Sequence, residues 1–380
     1  MEPYGWPPPP RANWLLLGHE AAESEILNCI HSGRLPHAWL ICGARGIGKA
    51  TLAFRFARYL LAGSGAGESA ASALPGEGLL REVDQRASEP MDGLAIAPDR
   101  PLFHRVASGG HADLFTVERR INEKTGRLRS EIVVEDVRSV VAFLAHTAAE
   151  GGWRAVVVDA AENLNRSAAN ALLKVLEEPP PQTVLLLVSH NPGCLLPTIR
   201  SRCRRLLLKA PAVSVGSDLL ARYRPDLHPD QAHALLKLAD DSIGIALALA
   251  DADGLAVRDD VVGAFAALPK LDMTALGRLG DRVTRAGLED SFPVVKDVFA
   301  RLLSRIVRAA ALAGSGAEPA MGVAEDQDIV DRLAARASLD RWLEVWDNTS
   351  GLLARVEGAN LDRRQVILDL FLTLRSAVRS

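Results

Sequence analysis

Residues 38–49 read Ala-Trp-Leu-Ile-Cys-Gly-Ala-Arg-Gly-Ile-Gly-Lys. Five apolar residues stand between Pro36 and Gly43, a length and flanking pattern that fit a buried strand. The next seven, Gly43 to Lys49, match G-x-x-x-x-G-K, and helical spacing follows to about residue 61. Strand, glycine loop and helix are the context in which that motif cradles phosphate. Gly43, Gly46 and Gly48 let backbone N–H groups approach an anion, and Lys49 adds a full charge at a helix N-terminus. The position after Lys49 calls for a hydroxyl to hold Mg²⁺. It is Ala50, and Thr51 comes one place later, about 100° further around the helix. A loop that packs but holds no nucleotide stays open beside one that binds it.

Outward from this stretch, a strand-like segment at 113–117 and apolar runs at 155–158, 184–188 and 206–208 alternate with helical patterns at 21–30, 135–146 and 169–176. Runs apolar throughout, interleaved with helices, predict a parallel sheet covered on both faces. Pro179, Pro180 and Pro181 stop the helix before the 184–188 run. Residues 63–110 are rich in Gly, Ala, Ser and Pro, and they read as a flexible, poorly packed insertion. After about residue 210 strand signals vanish. The expected organisation is an α/β P-loop domain over 1–209, a small helical lid over 210–254 and a helical domain over 255–380.

The chain's 380 residues suggest two or three domains, and its 44 Lys and Arg against 47 Asp and Glu exclude a strongly basic coat for nucleic acid. No apolar run approaches a bilayer span, and the first ten residues lack a signal-peptide pattern. Cys29, Cys42, Cys194 and Cys203 are scattered without a C-x-x-C pair, which speaks against a disulfide framework and a zinc site. The expectation is a soluble cytoplasmic protein. A second acid, Asp159, ends the 155–158 run, but Ala160 follows it where a hydrolase carries a carboxylate. Glu162 reads as a helix-start or surface residue, and Asp159 itself stays open as a structural acid.

Asn170 to Pro180 (NALLKVLEEPP) and Thr198 to Cys203 (TIRSRC), with 33–38 (GRLPHA) and 111–113 (HAD), form an ordered set. That set resembles the AAA+ clamp loaders of bacterial DNA polymerase III, from about residue 18 to 209. The resemblance implies an AAA+ α/β domain, a lid and an all-α collar within a five-subunit ring. Motor members of the family keep Lys-Ser/Thr, an Asp-Glu pair and a lid arginine. Here Ala50, Ala160 and the arginine-free 241–246 stretch depart from all three, which resembles the non-hydrolysing delta-prime branch.

By that resemblance Arg202, flanked by Ser201 and Cys203, is an arginine finger supplied in trans to a neighbouring ATPase subunit. The implied partners are gamma/tau motor subunits and a delta subunit, with the beta sliding clamp and primer-template DNA reached through the complex. No cofactor is implied as required; weak ATP or ADP binding by Gly43, Gly46, Gly48, Lys49, Thr51 and Asp159 stays open. Zinc is not expected, because the region where relatives carry zinc cysteines is the cysteine-free insertion. The competing reading is an ATP-hydrolysing motor subunit using Lys49 and Asp159.

Overall fold

The computed structural model describes residues 7–64, 93–121, 126, 129–284, 291–313, 326–359 and 361–379. The chain divides into two compact units. The first holds residues 1–226 and 240–244, and the second holds 227–239 and 245–380.

In the first unit, β1 (Ala38–Cys42), β2 (Leu114–Val117), β3 (Arg154–Val158), β4 (Thr183–Ser189) and β5 (Arg204–Leu207) form one sheet in the order β2-β3-β4-β1-β5. Every pairing is parallel. Side chains alternate across the pleat, so successive residues of one strand feed different cores. Leu40, Val156, Val158, Leu185 and Leu187 join one apolar cluster, and Trp39, Ile41, Val157, Leu186 and Val188 join the other. The first cluster is covered by α4 (Val134–Ala145) and α5 (Arg166–Glu177). The second is covered by α1 (Glu20–His31) and α2 (Lys49–Ser64). This is the parallel-sheet α/β architecture expected from the apolar runs.

Helix α5 carries the motif residues of 170–180. It starts where the Asn165 side chain accepts the Ala168 N–H at 2.9 Å, an N-cap, and it ends before the prolines. Its buried face is Ala168, Ala169, Leu172, Val175 and Leu176. Edge strand β5 starts two residues earlier than its apolar run, because Arg204 and Arg205 are exposed and leave no apolar signal.

The insertion expected over 63–110 needs correction. Residues 65–92 lie outside the described residues. Beyond them, α3 (Pro101–Ala107) buries Phe103, Val106 and Ala107, and Leu94 is fully buried, so this part is packed. Proline at the first helical position is a recognised start signal. The expected lid of 210–254 is shared between the units. Helix α7 (Val213–Tyr223), whose Tyr223 hydroxyl accepts from Asn13 Nδ2 at 3.2 Å, lies in the first, together with 240–244.

The second unit comprises α8 (Pro229–Leu238), most of α9 (Ile243–Asp251), α10 (Gly254–Ala267), α11 (Met273–Thr284), α12 (Phe292–Ala313), α13 (Gln327–Ala334), α14 (Leu339–Ala359) and α15 (Arg363–Arg379). Its centre is a triangle of Phe265, Phe299 and Phe371, with ring centroids 5.3 to 5.6 Å apart in edge-to-face arrangements. Such pairs add to the area they bury. None of the described helices is long and apolar enough to cross a membrane.

Phe371→Ala opens a cavity at this triangle and is expected to destabilise the second unit by about 3–5 kcal/mol. Leu343→Ala, at a side chain 44% exposed, is expected to change stability by no more than about 0.5 kcal/mol. Chemical denaturation followed by circular dichroism checks both.

Candidate functional site

The glycine loop leaves the interior strand β1 at the carboxyl edge of the sheet, where open α/β sheets bind ligands. Gly43, Gly46 and Gly48 have φ of 149°, 75° and 99°, backbone that side chains resist. A Cβ on Gly43 would stand 2.4 Å from the Leu208 carbonyl oxygen. Three successive carbonyls of the loop are held: Arg45 O accepts from Ser242 Oγ at 2.7 Å, Gly46 O from the Gly244 N–H at 2.8 Å, and Ile47 O from His19 Nε2 at 2.6 Å. A trans peptide points its N–H opposite to its C=O. Anchoring these carbonyls therefore turns the N–H groups of Gly46, Ile47 and Gly48 the other way, as an anion nest requires. Gly244 must lack a side chain for this approach, since a Cβ there would meet Gly46 Cα at 2.8 Å.

Lys49 opens α2, is buried, and donates from Nζ to the Ala44 carbonyl. Burial pushes its pKa down to about 8, against the pull of the Glu162 and Asp159 carboxylates. Asp159 follows β3, and its N–H donates to Val117 O at 2.9 Å. Burial raises its pKa above its ordinary value.

Three residues of this cluster escaped the sequence reading. Ala160 adopts φ 56°, a left-handed turn uncommon for alanine, and it brings Glu162 back toward the sheet edge. Glu162 stands in the first turn of the short helix Ala161–Asn163, as a helix-start residue, but its side chain is largely buried instead of lying on the surface. Its Oε1 accepts the His190 N–H at 3.0 Å, and its Oε2 is buried without a hydrogen-bond partner. Ser189, paired in register with Cys42 at the root of the loop, also has a buried, unpartnered hydroxyl. His190 is held below its ordinary pKa, by burial first and by the Lys49 charge second. Polar residues directly after the apolar run 184–188 were the available signal for Ser189 and His190. Nothing in the sequence announced the turn at Ala160.

The cluster fits an anion better than a metal–nucleotide pair. The loop supplies oriented N–H groups and Lys49. Ala50 and Ala160 supply no oxygen where Mg²⁺ and an attacking water would need one, and Thr51 is buried in α2.

Arg202 belongs to a separate locale. It follows the short helix α6 (Pro197–Arg200), with Ile199 and Cys203 buried on either side. Ser201 Oγ donates to Thr198 O at 3.1 Å. Arg202 Nη1 donates to the same carbonyl at 3.1 Å, and Nη2 pairs with Glu177 Oε1 at 2.7 Å. Burial pushes the Cys203 thiol up to about 12, so this cysteine is a packing residue and not a nucleophile. The other motif residues are structural ties. His37 Nε2 hydrogen-bonds Leu176 O at 3.0 Å, joining the approach to β1 to the end of α5. Asp113 accepts the N–H groups of Ala149 and Glu150 at 2.7 and 2.9 Å, and His111 Nδ1 accepts the Asp113 N–H at 3.1 Å.

Comparison with known proteins agrees with the motifs. Residues 101–212 match the family model described as DNA polymerase III, delta subunit. The DNA polymerase III subunit delta' of Pseudomonas aeruginosa is 37% identical over 206 residues, covering 54% of this chain and 53% of the relative. That of Escherichia coli is 31% identical over 242 residues, covering 64% and 63%. The subunit tau of Salmonella typhimurium is 28% identical over 240 residues, covering 62% of this chain and 32% of tau. The chain thus spans between about half and just under two thirds of the delta' relatives. Among solved structures, a DNA polymerase III gamma subunit-related protein of Thermotoga maritima overlaps 70% of this chain and 84% of its own at 22% identity and a TM-score of 0.35. The Thermotoga maritima RuvB Holliday junction branch migration motor overlaps 82% and 87% at 15% identity and a TM-score of 0.38.

The buried Lys49 charge gives a stability test. Its folded pKa of about 8 lies below the ordinary 10.5. Between those values the unfolded chain holds the extra proton, so stability rises with pH through that window. Wild type is expected to gain up to about 3 kcal/mol relative to Lys49→Met between pH 8 and 10.5, at about 1.36 kcal/mol per pKa unit. Chemical denaturation of both proteins across that range checks it; parallel curves would refute it.

Proposed function

We propose that this chain, a relative of the delta-prime subunits of DNA polymerase III, is a non-hydrolysing clamp-loader subunit that lends Arg202 to an ATP site on a neighbouring subunit. It works with gamma/tau-type motor subunits and a delta subunit in a ring, helping to load a beta sliding clamp onto primed DNA in the cytoplasm.

The observation that carries this reading is the contrast between the chain's two cationic sites. Lys49 is buried, its pKa is pushed down to about 8, and alanines stand at 50 and 160 where a motor site carries a hydroxyl and a carboxylate. Arg202 is 36% exposed on a turn whose neighbours are locked by packing and hydrogen bonds. A planar guanidinium suits phosphoryl oxygens, and an ammonium substitutes for it poorly. An arginine supplied in trans is worth about 10³–10⁵ in phosphoryl-transfer rate where measured.

The glycine loop, with Lys49, Asp159 and Thr51, is in this reading a rigid structural element that holds phosphate or nucleotide weakly and does not turn it over. One feature favours the motor alternative: Glu162 near Lys49 offers a carboxylate that the sequence pattern lacked. That alternative requires ATPase activity in the isolated chain and its loss in Lys49→Ala.

In a ring reconstituted with motor and delta subunits, Arg202→Ala is expected to leave assembly intact. DNA- and clamp-stimulated ATPase should fall at least about tenfold at the site it serves, with no rescue by Arg202→Lys. Unchanged ATPase in a fully assembled ring would reject the reading.

A further inference from the structure

We propose that Glu177 is the resting partner of the Arg202 guanidinium and a positioning residue for it, holding the arginine in check until a neighbouring subunit presents phosphate. This rests on the reading of Arg202 as a group acting in trans.

Glu177 is the last residue of α5. A carboxylate at a helix C-terminus faces the negative end of the macrodipole, where a cation is favoured. Helix stability therefore does not explain it, whereas Arg202 Nη2 at 2.7 Å does. The end of α5 is fixed on both sides, by the prolines beyond it and by His37 on Leu176 O. The carboxylate thus stands on a rigid post. The arginine stands on another, because Ile199 and Cys203 are buried around its turn.

The pair itself is half in solvent, with side chains 36% and 50% exposed. Exposed ion pairs of this kind are weak and are exchanged at little cost. A phosphate oxygen carries more charge than a carboxylate oxygen and makes a short, charge-assisted bond to the same nitrogen. Nη1 stays on Thr198 O during such an exchange, so the guanidinium keeps its orientation while Nη2 changes partner. Glu177 thereby orders a long side chain in advance and opposes its premature engagement. The handover is complete only where the ring closes tightly.

The test is a set of variants in the reconstituted ring. Glu177→Gln keeps the shape and an accepting oxygen but removes the charge. ATPase without DNA and clamp is expected to rise about three- to fivefold, the range an exposed pair can supply. The DNA- and clamp-stimulated rate should stay within about twofold, because there the arginine has already left Glu177. Glu177→Ala should raise the unstimulated rate too, and the effect should vanish in Arg202→Ala. A merely structural Glu177 would lower both rates together. Unchanged or lowered unstimulated ATPase in Glu177→Gln, alongside a clear loss in Arg202→Ala, would overturn this proposal and leave the role of Arg202 standing. No loss in Arg202→Ala would overturn both.

Discussion

Strand β1 is hydrogen-bonded along both edges, to β4 and to β5, and all five of its residues are buried. That double constraint places everything at the carboxyl edge. It fixes Cys42, and through Cys42 the exit of the glycine loop. The Leu208 N–H donates to Cys42 O at 2.8 Å, which brings the backbone after β5 so close that only glycine fits at position 43. The same register sets Ser189 beside Cys42, and the β3–β4 pairing brings Asp159 to the same edge. A loop hung from a less constrained strand would need many more side-chain contacts to hold three carbonyls in a row. Here Ser242, Gly244 and His19 suffice.

What the sequence made legible follows from the same physics. Strands buried on both faces must be apolar throughout, so β1, β3 and β4 stood out as runs. Edge strand β5 showed only its end, as the 206–208 run, because Arg204 and Arg205 at its start are exposed. The glycine loop was legible because positive φ leaves a compositional mark. The turn at Ala160 was illegible for the opposite reason: a left-handed alanine leaves no mark, and with it went the location of Glu162. Helix α3 had a start signal in Pro101, but it stood beside a long Gly/Ala-rich stretch that masked it. The sharing of residues 210–254 between two units is a matter of tertiary contacts such as Asn13 with Tyr223, which no local pattern encodes.

The arginines show why charge must be read in place. Arg55 is buried against Glu23 at 2.7 Å. Arg58, with burial pushing its pKa down to about 9, donates to Arg11 O and Asn13 O at 2.9 Å and lies 4.6 Å from the Phe103 ring centroid. Arg154, at the start of β3, donates to Leu144 O at 2.9 Å and to Pro181 O at 3.2 Å. These guanidiniums satisfy buried carbonyls, a task their fork of five donors suits. They add to the basic count without adding an anion-binding surface.

The run Arg200, Arg202, Arg204 and Arg205 looks in sequence like a solvated basic patch, and the structure resolves it into separate functions. Arg204 pairs with Glu25 at 2.7 Å and lies over the Trp39 ring, closing the sheet edge. Arg200 has a buried Nε with no hydrogen-bond partner. Arg202 alone of the four combines a locked turn, an exposed guanidinium and a weak anionic partner that another anion can displace. A patch that bound nucleic acid through bulk charge would leave its arginines interchangeable. Arg202 and Arg204 are not interchangeable, because each is paired with a different carboxylate. The acidic partner of Arg202 sits at the end of α5, so the two separate motifs 170–180 and 198–203 meet in one ion pair. That meeting supplies a physical reason for the two motifs to occur together in one chain.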